Sequence, residues 1–506
     1  MQDLTTPAGA FKAFYSTVLL IWSIILIAAL IAEGQSKLAD EVSPALAYVL
    51  WIGAIGWLTM VEGGQGSLVG LAPVHYNFYK ATHPKSYLVT KVCHEGDNLD
   101  RYLMGRQLMV VFIVFTVNIS AGPLEGAEIW GLPEWVIDTF LGSGLAMILM
   151  TAMVGQLNSQ VNASLCMLDY INNSFALFTF WVAMAIEFSG LLHSSYLIAI
   201  IVSMLAGKPI ETKEEPRTTT QSIFFWSRVL VSLAILAFCF YVTIFALFEG
   251  KTTLWDGVNT GAALVIFFFL VSVVGMLEGM QIAFFAVAKL KEDERGDGVW
   301  AKKTCALLFK GNGSNLPGFM IGRQLMVVSC MFFVARVTSV VAPEDNEDNM
   351  LGVSDSMQKL FETGLLGALI VTIVGSIAWQ LVASAFPIAF LSTPITYILL
   401  SGCLFLEFIG ICSGAWVLAA IHRNIAGFQR DEVYIGTAEE RALKNLEDKE
   451  TLHGALAKLP GFAESAPKQL KKLIESDPAV AEYVKDYMET SMRSMQDAEK
   501  GVAEGP

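Results

Sequence analysis

The sequence predicts an all-α polytopic membrane protein, with ten transmembrane helices arranged as a 5+5 inverted repeat and a helical C-terminal tail. Three observations lead to this fold class: the composition, a series of long apolar runs and an internal duplication. Of the 506 residues, 54% are hydrophobic and only 16% are charged, whereas a soluble domain carries about 25% charged residues. This composition excludes a soluble globular protein.

Charge and cysteine content exclude further classes. The formal charge of −14 argues against a nucleic-acid partner, because binding to phosphates needs a basic surface. The seven cysteines are scattered and predict neither a disulfide framework nor a metal cluster. The six histidines show no metal-ligand spacing, and no nucleophile is paired with a base. We therefore expect neither an enzyme nor a resident cofactor.

Ten stretches are apolar enough to cross a bilayer, which takes about 20 residues in a helix. They predict helices at 14–33, 44–79, 103–122, 139–163, 173–206, 224–249, 257–289, 319–341, 360–385 and 395–421. A linker at 208–223 separates the fifth helix from the sixth. Residues 422–506 are expected to form a charged, acidic tail, with helical patterns at 437–457 and 478–497.

A duplication relates the two halves of the chain. The seven residues at 105–111 recur unchanged at 322–328, and the Glu-Gly-x-Gln motif at 62–65 returns at 278–281. Residues 1–207 and 224–421 are therefore predicted to form two five-helix repeats. Because five is odd, each helix of the second half starts from the opposite side of the bilayer to its partner. The repeat is then inverted, which is typical of secondary transporters.

The Glu-Gly-x-Gln motif places a carboxylate and an amide three residues apart, on one face of a helix. Glu62 with Gln65, and Glu278 with Gln281, are therefore predicted to point into one cavity. The glycines at 63, 64 and 66 predict a break in the second helix, as in the discontinuous helices of transport sites. The alternative interpretation is a glycine-packed contact between helices.

The Gly-Arg-Gln motif places Arg106 beside Gln107 and Arg323 beside Gln324. Neighbouring helical residues point about 100° apart, so we expect one side chain to form a pair while the other lines the cavity. Each arginine either neutralises a nearby glutamate in a buried ion pair or binds the ligand. The glutamines have no such need for a counter-ion and are the better ligand candidates.

Four further repeated residues form a second tier of candidates. Glu187 and Glu407 are predicted in the middle of the fifth and tenth helices, where they serve either structural pairing or ion coupling. Gln160 and Gln380 are matched amides in the fourth and ninth helices. Polar groups inside a membrane are expensive, which makes them functional candidates by default.

The two doubled motifs within a ten-helix duplication closely resemble the silicon (silicic acid) transporters of diatoms and related algae. The resemblance covers residues 1–421 and rests on the motifs at 62–65, 105–107, 278–281 and 322–324. It implies sodium-coupled uptake of orthosilicic acid, with the motif residues near the substrate path. Members of that family often carry a C-terminal coiled coil; here Pro460 and Gly461 interrupt the tail, and no heptad run is apparent.

The residue types suit that substrate, which is a small, mostly neutral molecule with four hydroxyl groups. A glutamine amide both donates and accepts hydrogen bonds, and a guanidinium group donates them. The predicted substrate-binding residues are Gln65, Gln107, Gln281, Gln324, Arg106 and Arg323. Sodium, the expected coupling ion, prefers negatively charged oxygen ligands, so Glu62 and Glu278 are the candidate coupling residues.

Membrane placement and competing functions complete the set of expectations. Both termini are predicted in the cytosol of a plasma-membrane protein, because the 85-residue tail would otherwise need translocation; intracellular vesicle membranes are a second location. The alternatives are a sodium-coupled carrier of another small polyhydroxy solute such as borate, a gated pore insensitive to sodium, and a membrane nutrient sensor. An oligomer is compatible with all of them.

Overall fold

The computed structural model describes residues 6–72, 74–124, 126–207, 214, 216–255, 257–288, 295–310, 315–341 and 349–436. The chain forms two compact units, Met1–Tyr434 and Ile435–Pro506. All but the last of the helices below lie in the first unit. The helices predicted at 437–457 and 478–497 lie outside the described residues.

The first half of the chain is helical almost throughout. Its helices are α1 (Pro7–Ala32), α2 (Lys37–Glu41), α3 (Pro44–Leu71), α4 (Pro84–Cys93), α5 (Asn98–Ala121), α6 (Glu134–Gly142), α7 (Leu145–Leu165), α8 (Met167–Ile171), α9 (Ser174–Phe188) and α10 (Ser194–Ala206). A 3-10 turn at Tyr76–Tyr79 follows α3.

The second half follows the same order, except that its described residues contain no counterpart of α2 and that one further short helix follows at the end. Its helices are α11 (Thr219–Phe248), α12 (Thr260–Ala288), α13 (Val299–Leu308), α14 (Asn315–Thr338), α15 (Asp355–Glu362), α16 (Leu365–Ala385), α17 (Pro387–Leu391), α18 (Pro394–Ile409), α19 (Gly414–Ala426) and α20 (Glu432–Ile435). A 3-10 turn at Met350–Gly352 precedes α15.

The fold is that of an all-α polytopic membrane protein. Among the described residues, seven helices are long and apolar enough to cross a membrane, or nine if two bent pairs each form one span. The bent pairs are α6 with α7, at 44°, and α18 with α19, at 69°. The apolar helices α9 and α10 are shorter. The total of ten spans stays a prediction.

The second predicted helix is not broken at its glycines. Helix α3 runs without interruption from Pro44 to Leu71, so the predicted break is wrong. A side-chain carbon at Gly63 would lie 2.2 Å from the ring of Tyr170 in α8, and one at Gly279 would lie 2.5 Å from the ring of Phe390 in α17. These glycines therefore allow an aromatic ring to pack against the helix, as in the alternative interpretation of a glycine-packed contact between helices.

The breaks lie instead near the middle of the fifth and tenth predicted helices. Gly190 and Gly410 adopt left-handed backbone angles, with φ of +82° and +81°, a region that glycine enters without a steric penalty. They end α9 and α18, and the chain restarts as α10 and α19. Glu187 and Glu407 consequently lie in the last turn of a helix, not in the middle of one as predicted.

Each broken helix docks on the first long helix of the other half. In α11, Ser232 accepts a hydrogen bond from the backbone N–H of Ser194 at 3.0 Å and donates one to the carbonyl of Leu191 at 2.7 Å. Ser16 in α1 makes the matching bonds, from the N–H of Gly414 at 2.9 Å and to the carbonyl of Ile411 at 2.5 Å. The two halves are therefore interlocked by equivalent contacts.

The glycine of each Gly-Arg-Gln motif brings two helices into backbone contact. A side-chain carbon at Gly105 would lie 1.9 Å from the carbonyl oxygen of Ala183 in α9, and one at Gly322 would lie 1.8 Å from that of Cys403 in α18. No side chain larger than hydrogen fits there. This contact fixes α5 and α14, which carry the neighbouring Arg and Gln residues into the interior.

Candidate functional site

A polar cavity lies among α3, α5, α7, α12 and α14. Side chains from both halves of the chain line it: Glu62, Gln65, Arg106, Gln107, Val110, Gln156, Glu278, Gln281, Arg323, Gln324, Val327 and Met331. The structure thus brings together all eight residues that the two motifs single out.

The first half contributes a hydrogen-bonded group that we call the first cluster, formed by Glu62, Arg106, Gln107, Gln156 and Gln160. The guanidinium Nη2 of Arg106 lies 2.7 Å from Oε1 of Glu62, and its Nη1 donates to Oε1 of Gln107 at 2.9 Å. Gln160 donates to Oε2 of Glu62 at 3.0 Å, and Gln156 donates to Oε1 at 3.4 Å. The carboxylate of Glu62 is therefore held by a cation and two amides.

The second half contributes an equivalent group, the second cluster, formed by Glu278, Arg323, Gln324, Ser376 and Gln380. Nη1 of Arg323 donates to Oε1 of Glu278 at 3.0 Å, and its Nη2 donates to Oε1 of Gln324 at 2.8 Å. Gln380 donates to Oε2 of Glu278 at 2.9 Å and to Ser376 at 3.3 Å. The same chemistry is thus built twice around one cavity.

A direct hydrogen bond joins the two clusters. Nε2 of Gln160 in α7, which also contacts Glu62, donates to Oε1 of Gln324 in α14 at 3.4 Å. A group in the first half and a group in the second half therefore contact each other without an intervening residue. A rearrangement that separates α7 from α14 would break this bond.

The cavity is polar but carries balanced charge. Glu62, Arg106, Glu278 and Arg323 are each between 3% and 6% exposed. Burying an unpaired charge is costly, and a partner with good geometry offsets that cost. Two carboxylates opposite two guanidinium groups leave no net formal charge from these four residues, which suits a neutral polar ligand better than an ion.

Three residues that line the cavity each carry a buried polar atom whose hydrogen-bonding capacity is not used within the described part of the protein. Nε of Arg106, Nε of Arg323 and Oε1 of Gln156 are buried and have no hydrogen-bond partner among the described residues. Gln65 and Gln281 are partly exposed and line the same space. Buried polar atoms are nearly always paired, so these two donors and one acceptor indicate where a ligand or water would bind.

The expectation that an arginine and its neighbouring glutamine face different ways is wrong. Arg106 and Gln107 both line the cavity, as do Arg323 and Gln324, and in each pair the arginine bonds to the glutamine. The reason is the length of the arginine side chain, which bends back across the angle of about 100° between neighbouring helical residues. Each arginine also forms an ion pair with a buried glutamate, which is one of the two roles expected for it from the sequence.

The second-tier residues divide into two groups. Gln160 and Gln380 contact the cavity carboxylates directly. Glu187 and Glu407 lie away from the cavity, at the helix breaks, and Oε1 of Glu187 is 3.7 Å from Nε2 of His193.

Gln156 is the residue that the motif analysis missed. Its counterpart in the second half is Ser376, so a search for repeated residues passes over it. It stands four residues before Gln160 in an apolar span, a spacing that puts two amides on one helix face, and this signal would have identified it. Gln156 lies in a π-helical segment, Thr151–Leu157, which recurs at Val371–Ile377; such segments are frequent at functional sites.

Comparisons with known proteins identify the family of the chain. The family model described as "Silicon transporter" matches residues 4–504. No curated protein and no solved structure matches the chain. The family match includes both clusters and nearly the whole sequence. The chain therefore belongs to the silicon transporter family.

Proposed function

We propose that the protein is a sodium-coupled secondary transporter that takes up orthosilicic acid by alternating access, with the cavity between the two clusters as its binding site. Membership of the silicon transporter family and the candidate membrane spans support a membrane transporter for silicic acid. The single observation that carries the site assignment is the convergence of two equivalent clusters on one charge-balanced cavity.

The cavity suits the bonding pattern of the substrate. Orthosilicic acid is a small molecule with four hydroxyl groups, each of which donates and accepts hydrogen bonds. Its hydroxyl groups can donate to Oε1 of Gln156 and accept from the Nε atoms of Arg106 and Arg323, while Gln65 and Gln281 do both.

The carboxylates have a structural part in this scheme. A sodium ion at Glu62 or Glu278 would share its ligand with a guanidinium nitrogen 2.7 or 3.0 Å away, which weakens the attraction for a second cation. We therefore assign both glutamates to holding the arginines and glutamines in position. Their direct part in sodium coupling stays a prediction.

Alternating access would use the duplicated architecture. The matched breaks at Gly190 and Gly410 and the matched docking of Ser16 and Ser232 support two five-helix repeats that move against each other. In an inverted repeat, such motion exposes a central site to one side of the membrane and then to the other. A plasma-membrane location with both termini in the cytosol completes the proposal.

The test is uptake of silicic acid into proteoliposomes that contain the purified protein. We expect uptake to exceed that of protein-free liposomes, to require an inward sodium gradient, and to fall when sodium is replaced by choline. Uptake that ignores sodium would indicate a pore. Binding without uptake would indicate a sensor, and strong inhibition by excess borate would indicate a carrier of broader specificity.

A further inference from the structure

A second cavity lies at the break between α18 and α19. It is lined by Ile321, Glu407, Gly410, Cys412, Ser413 and Trp416. It shares no lining residue with the cavity between the clusters. The chain bends by 69° at this point, so any ligand held here would contact both arms of the bent helix.

Three features of this cavity favour a cation. Glu407 lines it with a carboxylate. Ser413 is 4% exposed, and its hydroxyl oxygen has no hydrogen-bond partner among the described residues. Glu407 also stands in the last turn of α18, which ends at Ile409, and the C-terminal end of a helix carries partial negative charge. A carboxylate, a hydroxyl oxygen and a helix C-terminus together provide the hard oxygen ligands that such ions prefer.

The first half carries larger protein groups at the equivalent place. At the position equivalent to Ser413 stands His193, which is 2% exposed and has Nε2 at 3.7 Å from Oε1 of Glu187. The guanidinium group of Arg228 donates to the carbonyl of Glu187 at 2.9 Å and to that of Phe188. A bulky imidazole and a fixed cation therefore occupy the helix end in the first half.

The second half keeps the cation and changes the imidazole. The counterpart of Arg228 is Lys12, whose Nζ lies 4.5 Å from the centroid of the Phe408 ring, as the guanidinium carbon of Arg228 lies 5.4 Å from the centroid of the Phe188 ring. The counterpart of the imidazole is the small hydroxymethyl group of Ser413. The substitution of serine for histidine leaves room for a ligand next to a carboxylate, where the first half has a side chain.

We propose that the cavity at Glu407 and Ser413 binds a monovalent cation, with sodium as the ion to test. A single carboxylate lines it, whereas sites for divalent ions generally use more charged ligands. The identity of the ion rests on the proposed sodium coupling, but binding itself does not depend on silicic acid. An ion here would tie α18 to α19 across the break and so link ion binding to the angle between them.

The experiment measures sodium binding by the purified full-length protein without silicic acid, as the rise in melting temperature when choline chloride is replaced by sodium chloride at constant ionic strength. We expect a saturable rise. Glu407→Gln should weaken sodium binding at least about tenfold, because the charge of the ligands sets the affinity of such sites. Glu187→Gln is the matched control and should keep the response of the parent.

A second pair of variants covers the case in which Glu407→Gln fails to fold. Ser413→His introduces the ring that the first half carries and should abolish the sodium response, whereas Ser413→Ala should weaken it. An equal response in the parent and in both Ser413 variants would overturn the site, as would an equal loss in Glu187→Gln and Glu407→Gln. If sodium binding requires Glu407 but uptake of silicic acid does not depend on sodium, the cation site is confirmed and the proposed sodium coupling is wrong.

Discussion

The two clusters share their charged residues and differ in their accessory amides. Each has a glutamate, an arginine that bonds both that glutamate and the adjacent glutamine, and a glutamine that donates to the carboxylate. Only the first cluster has Gln156, whose Oε1 has no partner among the described residues. Ser376 at the equivalent place accepts from Gln380.

This difference separates what the fold requires from what the ligand uses. The Glu–Arg pair recurs because each buried charge needs its partner, whichever half it belongs to. The free acceptor of Gln156 has no such structural reason and occurs once. We therefore expect equal effects in the two halves when an ion pair is broken, and unequal effects when the accessory groups are changed.

The largest expected effect follows from removing one charge of a pair. Arg106→Ala and Arg323→Ala each leave a buried glutamate uncompensated, which should lower the free energy of unfolding by about 3–5 kcal/mol. Thermal stability of the purified variants measures this. The double variant Glu62→Gln with Arg106→Met should recover most of the loss, and wild-type stability in either single variant would show that the pair is dispensable.

The next effect concerns the shape of the cation. Arg106→Lys and Arg323→Lys retain the charge but replace a planar fork of donors with a point charge, so the bond to the adjacent glutamine is lost. With near-normal abundance at the membrane, silicic acid uptake should fall about ten- to hundredfold, as for loss of a charged hydrogen bond worth about 1.5–3 kcal/mol. If both variants take up silicic acid like the parent, the arginines act only as counter-ions.

The close contacts between helices at Gly105 and Gly322 should not tolerate an added side chain. Gly105→Ala and Gly322→Ala force a methyl group against a backbone carbonyl and should cost at least about 1–3 kcal/mol of stability. Gly53→Ala is the matched control in α3, because nothing lies within 4 Å of the added carbon. Melting temperatures of the three variants decide the point, and equal values for all three would refute the close approach.

The smallest effect tests the asymmetry itself. Gln156→Leu removes the free acceptor, together with the long 3.4 Å bond to Glu62, at nearly constant volume. It should weaken silicic acid binding about two- to tenfold, equivalent to one hydrogen bond of about 0.5–1.5 kcal/mol. Ser376→Ala, the equivalent change in the second half, should alter binding by less than twofold. If the two variants bind equally, the accessory amide has no special part in recognition.

The polar residues of the site were predictable from the sequence, whereas the helix breaks were not. Glu62, Arg106 and Gln107 stood out because duplicated polar groups in apolar spans are rare. The role of a glycine depends on its neighbours in space: Gly63 accommodates the ring of Tyr170, whereas Gly190 takes a left-handed turn. A single sequence does not distinguish these two uses.

The central claim is that the two clusters form one site for one substrate molecule. Equilibrium dialysis of the purified protein against silicic acid tests it most directly, with Gln65→Leu and Gln281→Leu as companions from the two halves. The account predicts one silicic acid bound per chain, with the affinity for that same molecule weakened by either substitution. Two molecules per chain, each lost with a different variant, would contradict it.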